Sequence, residues 1–356
     1  MAYTTIDDPS AYFQNKVYTG NGTNNTAYTF DGNSNLQPDW LWIKNRSHNQ
    51  SHALFDSVRG ATKRITSNGD GPESTENTNL DSFDSDGFTV DSELIVNGGS
   101  DLMVAWAWKA GTSVSGNTTG SGTAKAYTGS VNTTSGISII RYQGNGSAGH
   151  TIPHHLGVTP TVMMVKNLTR NAANWSNYQS DFWVSGGNQY IDLNRNAAAA
   201  ADAAMWNNTQ PSSSVFTVGT NERSNYNDHY FINYLFTPIQ GYSNFGSYTG
   251  NGNANGPFIY TGFQPAWVIV KRSTGTGDWA IMDTGRNPFN VMNQYQKAQA
   301  AEADSTDASF DIDSVSNGFK IRYTNSNYNA SGGAYIYMAF AKNPFTTSTG
   351  IPATAR

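Results

Sequence analysis

The phrase YTGNG stands at Tyr18–Gly22 and again at Tyr248–Gly252, and YQGNG stands between them at Tyr142–Gly146. Internal repetition decides architecture before any local propensity does, because each copy folds as one unit and the units then pack. The residues after each phrase are repeated too. QPDWLWIKNRS begins at Gln37, TPTVMMVKNLT at Thr159 and QPAWVIVKRST at Gln264. Each reads as a proline, a buried apolar run and a lysine, with Pro38, Pro160 and Pro265 marking register and Lys44, Lys166 and Lys271 at one equivalent position.

The copies continue downstream. HALFDSVRG (His52–Gly60) matches DWAIMDTGR (Asp278–Arg286), sharing Asp56 with Asp283 and Arg59 with Arg286. The middle copy has drifted to NWSNYQSDF, which keeps Trp175 opposite Trp279 and loses both charges. Every copy closes on an aromatic-rich strand, LMVAWAW, INYLF or YIYMAFA, with Trp106, Phe236 and Phe340 read as being in register. The chain therefore divides into three units of about 100 residues, near the size of a small domain.

The runs WLWI, VMMV and WVIV are too short for helices and rich in β-formers, which predicts strands buried on both faces. Asp86–Gly87 and Asn317–Gly318 are hairpin dipeptides, since Asn, Asp and Gly tolerate positive φ. The fold expected is all-β: three tandem β-sandwich, jelly-roll-like repeats. Short inserted helices are expected over the alanine-rich stretches 194–206 and 294–304. The boundaries fall at an N-terminal segment 1–11, repeats at 12–110, 137–240 and 241–346, and a tail at 347–356. Residues 111–136, almost all Gly, Ser, Thr and Asn, read as an extended tether that leaves the first repeat free to move.

Charged residues make up 13% of the 356 and the net charge is −5 with no basic run, which argues against binding nucleic acid through phosphates. There is no cysteine for disulfides or thiolate metal sites. The first residues lack a signal peptide's basic and apolar regions, and no apolar run reaches membrane-spanning length.

Four clusters invite a chemical reading. SFDSDGFTVDSE places Asp84, Asp86, Gly87 and Glu93 at EF-hand spacing, but the third copy keeps the turn and drops the carboxylates, so it reads as a hairpin. HTIPHH (His150–His155) has no matching histidines in the third copy and reads as structural, as do the Asp–Arg pairs. No nucleophile elbow, P-loop, dinucleotide fingerprint or HExxH occurs, so neither catalysis nor a cofactor or metal is expected. The fourth cluster is Trp183, Tyr190 and Trp206, aromatics of the drifted middle copy without counterparts elsewhere. Rings beside Asn, Asp and Ser suit stacking on a sugar face, or packing against the alanine-rich segment.

DDPSAYF, FDGNSNLQPDWLWIKNRS, LFDSVRGATK, SFDSDGFTV, AWAWKAG, GYSNFGSYTGNG and ASGGAYIYMAFAKNPF span nearly the whole chain. In these the chain resembles virion structural proteins of marine, cyanophage-like bacteriophages, of the tail-fibre and capsid-knob kind. The resemblance implies an externally displayed part taking part in host attachment, made in the host cytoplasm and released by lysis. Its partners would be other virion proteins, further copies of itself and a host cell-surface glycan. A capsid or tail decoration, or a lectin-like module, is the alternative it leaves.

Overall fold

The computed structural model describes residues 2–182, 188–306 and 310–353. It is all-β, with antiparallel sheets and, among the described residues, α-helices of a single turn. Three large sheets carry the three sequence copies. The first orders its strands Phe13–Thr19, Leu102–Trp108, Trp40–Asn45 and Ala53–Asp56. The third repeats that order as Ser243–Thr249, Ala334–Pro344, Phe263–Arg272 and Trp279–Asp283, then adds Gln294–Lys297 and Ser305–Thr306. The second has Ile137–Gln143, Tyr230–Phe236, Val162–Asn167 and Ser176–Gln179 in the same places. Each large sheet is backed by a three-stranded one containing the strands Gly87–Val90, Val215–Val218 and Gly318–Ile321.

The central strands of every large sheet are buried on both faces, and strand alternation sorts the side chains. Leu41, Ile43, Met103, Ala105 and Ala107 face the core that the first sheet shares with its small partner. Trp40, Trp42, Val104, Trp106 and Trp108 turn the other way, into a core that also holds Ile232, Tyr234 and Phe236 of the second copy. Trp267, Ile269, Met338 and Phe340 of the third complete it. The three copies are thus joined through one aromatic centre, where the Trp40 ring lies 4.4 Å from Trp108 and 4.5 Å from Tyr234.

The repeated phrase is explained letter by letter. The tyrosine hydroxyls of Tyr18, Tyr142 and Tyr248 donate to the carbonyls of Val96, Ser224 and Tyr328. These carbonyls belong to the one-turn helices Leu94–Asn97, Glu222–Asn225 and Ser326–Asn329. A Cβ on the first glycine would lie 2.2 Å (Gly20), 2.4 Å (Gly144) or 2.4 Å (Gly250) from a backbone oxygen just after that helix. The backbone N–H of Asn21, Asn145 or Asn251 donates to the side chain of the helix's last residue, Asn97, Asn225 or Asn329. The second glycine sits at φ +66°, +72° or +68°, the left-handed region. The phrase locks a sheet edge to a short helix.

Four expectations are corrected. Residues 111–136 are not a tether: Thr112–Asn117 and Ala126–Asn132 extend the second sheet beyond Ile137–Gln143. A Ser/Thr/Gly segment lacks a core of its own, but ladder hydrogen bonds ask for none. The first repeat is not free to move, since its four tryptophans lie in the common core. The alanine-rich stretches are mostly not helical. Only Ala203–Trp206 forms a turn of helix, with Asp202 accepting from the Ala204 N–H, and Gln294–Lys297 is a strand. A short alanine run cannot meet the cost of helix nucleation while a sheet edge offers bonds at once. Lastly Trp108, not Trp106, is in register with Phe236 and Phe340, because these three face Trp40, Val162 and Trp267.

Candidate functional site

The joints between sheets hold the most unusual chemistry. Lys44, Lys166 and Lys271 are fully buried, and each sends its ammonium to backbone carbonyls only. One acceptor in each case belongs to a neighbouring copy: Ala301 for Lys44, Asp70 for Lys166 and Asn196 for Lys271. Burial pushes Lys44 and Lys166 down to about 8 and Lys271 to about 7. Four residues before each acceptor, another carbonyl takes an N–H from a neighbouring copy. Trp175 Nε1 donates to Thr66, Trp279 Nε1 to Asp192, and His52 Nε2 meets Lys297 O at 3.0 Å. His52 Nδ1 accepts from Trp42 Nε1, so the ring is neutral with its proton on Nε2, and burial holds its pKa well below the usual value.

The Asp–Arg pairs lie at the same joints. Asp56 binds Arg59 and accepts from Tyr234 Oη of the second copy at 2.7 Å. Asp283 binds Arg286 and accepts from Trp106 Nε1 of the first copy at 3.1 Å. At the remaining joint the position facing the pair is Met338, which has no such proton to give. There the carboxylate is replaced by Gln179, whose amide donates to Gly246 O at 2.8 Å. Pair and donor are lost together because a buried carboxylate without its donors is costly. Both pairs are structural.

Of the remaining sequence candidates, Asp84 accepts from Ser82 and Thr89 hydroxyls within the hairpin Leu80–Asp84/Gly87–Val90, and Asp86 accepts from the Leu36 N–H. His150, His154 and His155 meet separate partners, Asn145, Ser212 O and Tyr127. Among the described residues no three His, Cys, Asp or Glu gather as a metal set. Trp206 is fully buried, with its Nε1 donating to Gln189 O, and offers no ring face to a ligand. Tyr190 is half-buried on the short strand Gln189–Tyr190, under the Arg223 guanidinium 5.4 Å from its ring. Trp183 lies outside the described residues.

Three grooves run along the joints, of about 350 Å³ between the first and third sheets, 650 Å³ between the second and third, and 730 Å³ between the first and second. The largest has Ser57 and Lys109 on one wall and Ser113, Ser115, Thr128 and Ser130 on the other, with Val58 as apolar ground. At its base Asp39 accepts from Ser57 Oγ at 2.6 Å and from the Ala110 N–H at 2.9 Å. Burial pushes this carboxyl up against the opposing pull of those bonds. Many hydroxyls around a small apolar floor and one carboxylate can hold a polar, uncharged, hydroxyl-bearing ligand. Sequence reasoning missed this site because one wall is the segment read as a tether. The alternation of small hydroxyl residues in TSVSGN was the available signal.

Among the described residues no helix is long and apolar enough to cross a membrane. A family model described as a domain of unknown function, DUF7483, matches residues 8–344, and the chain belongs to that family. No curated protein and no solved structure matches the chain.

Proposed function

We propose that this DUF7483 protein is a bacteriophage virion-surface protein, built of three tandem β-sandwich, jelly-roll-like repeats, that takes part in host attachment by binding a cell-surface glycan. The observation that carries the reading is the groove between the first and second sheets. Its Ser, Thr and Lys walls, Asp39 base and Val58 floor suit a sugar ring with its hydroxyls. The surrounding chain is weakly charged, which favours a neutral saccharide over an anionic partner. The resemblance to phage virion proteins supplies the setting, a short fibre or capsid appendage, and the reading includes no catalytic step. Attachment also needs a rigid frame, and the common tryptophan core provides one.

The test is competition. Purified protein added to host cells before infection reduces phage adsorption, and glycans from those cells bind the protein saturably. Ser115→Trp fills the groove from an exposed position and lowers binding at least tenfold, about 1.4 kcal/mol. A protein that neither binds cells nor competes, while phage lacking it lose particle stability, is a decoration protein instead.

A further inference from the structure

Each large sheet has an equivalent outer strand, the one that carries the repeated tyrosine, and the three outer edges are treated differently. In the second sheet, Ile137–Gln143 is covered by the chain's own Ala126–Asn132, paired antiparallel from Tyr127↔Tyr142 to Asn132↔Ile137. In the first, Phe13–Thr19 carries Lys16 at its centre, paired with Asp31 at 2.6 Å, and the Thr19 carbonyl accepts from Tyr28 Oη. A central lysine is a standard guard against edge-to-edge pairing. In the third, Ser243–Thr249 reads SNFGSYT, with no charge and no proline. Among the described residues no strand covers its outer side. Gly246, which stands where the second sheet has Ile140 paired to Gly129, turns its own N–H and C=O inward to Tyr337, its carbonyl also accepting from the Gln179 amide, so the backbone groups that face outward are those of Phe245, Ser247 and Thr249.

We infer that the outer edge of Ser243–Thr249 accepts an added antiparallel strand from another polypeptide, an extended, uncharged Ser/Thr/Gly-rich segment. The chain itself shows the occupant: AYTGSVN lies on the equivalent edge of the second sheet, adding main-chain bonds with small side chains. The groove beside the third edge has the room and the chemistry for such a segment. It is about 650 Å³ and is flanked by Ser247, Thr249, Ser273 and Thr274 over Ile336, with Asp181 also in its lining. Strand addition draws affinity from backbone bonds, so neutrality and small side chains matter more than any single residue. This edge is distinct from the saccharide groove and does not depend on it.

The experiment titrates the full chain with a fluorescein-labelled peptide, AKAYTGSVNTT, copied from residues 124–134. The expected result is saturable binding, followed by anisotropy, that a peptide N-methylated at alternate residues loses. Ser247→Lys places on the third edge the guard that Lys16 gives the first, and weakens binding at least tenfold; Ser247 is exposed. Thr249→Lys, also exposed, serves if that variant fails to fold. Absence of saturable binding up to millimolar peptide overturns the inference. So does binding that survives both lysine variants, which would mean that the peptide exchanges with the second sheet's own strand.

Discussion

Gly250 and Gly252 stand two residues apart in one phrase, yet they are required for different reasons. A methyl on Gly250 would meet the Ala330 carbonyl oxygen at 2.4 Å, a backbone atom that cannot rotate away. Gly146, the middle copy's counterpart of Gly252, is less confined, since a Cβ there would lie 3.3 Å from the Asn227 Cβ, a close contact relieved by a shift of a few tenths of an ångström, but it occupies φ +72°. Gly250→Ala therefore destabilises by about 3 kcal/mol or more, because the sheet edge or the helix must shift. Gly146→Ala costs only about 1–2 kcal/mol, the left-handed penalty of an L-residue, and Gly146→Asn costs less. Urea denaturation of the three variants separates the two mechanisms; equal losses at both positions would contradict this account.

At the scale of elements, the strand Ala126–Asn132 is the sharpest departure from the sequence reading. Its amides exchange with solvent as slowly as those of Ile137–Tyr142, with which they share a ladder, while the exposed turn 121–124 exchanges fast. Uniformly fast exchange across 112–132, measured by hydrogen–deuterium mass spectrometry, would restore the tether. The reason for the misreading is physical. Composition reports whether a segment can bury apolar surface, and this one mostly does not. It says nothing about whether a neighbouring edge can satisfy its backbone. Conversely, WLWI, VMMV and WVIV were legible as two-sided strands because no other arrangement hides such consecutive large side chains and their neighbours. What could not be read was where the second face goes. Nothing in Trp40 or Trp267 alone says that they meet around a common centre. The candidate site suffered similarly. For Trp206, unmatched in the other copies, the sequence left sugar contact and packing both open, and it is buried because its partners Tyr178 and Gln189 come from the same diverged copy.

For the whole molecule, the buried lysines couple assembly to pH. Below about pH 6 they are protonated both folded and unfolded, so their burial penalty is constant there. Between about pH 8 and 9.5 the folded chain has released protons that the unfolded chain still holds, since free lysine titrates near 10.4. Stability therefore rises across that window, by up to about 1.4 kcal/mol per pH unit for each lysine. Above it the trend reverses, because Tyr18, Tyr142, Tyr234, Tyr242 and Tyr248 are held above the ordinary phenol value and the unfolded chain ionises first. Guanidinium titrations at half-unit pH steps read this slope, and Lys44→Met removes about one third of it. A flat profile from pH 8 to 9.5 would mean that the three joints open to water.

The shared tryptophan centre also sets a timetable for synthesis. Trp40, Trp42, Trp106 and Trp108 are all made before the chain is one third complete, but Trp267 and Phe340 close over them only near its end. At about 5–20 residues per second, the ribosome leaves that indole-rich face uncovered for roughly 10–50 s. During this interval the nascent chain is a client for chaperones, and a ribosome that stalls within the third copy releases a product whose most adhesive surface has no cover.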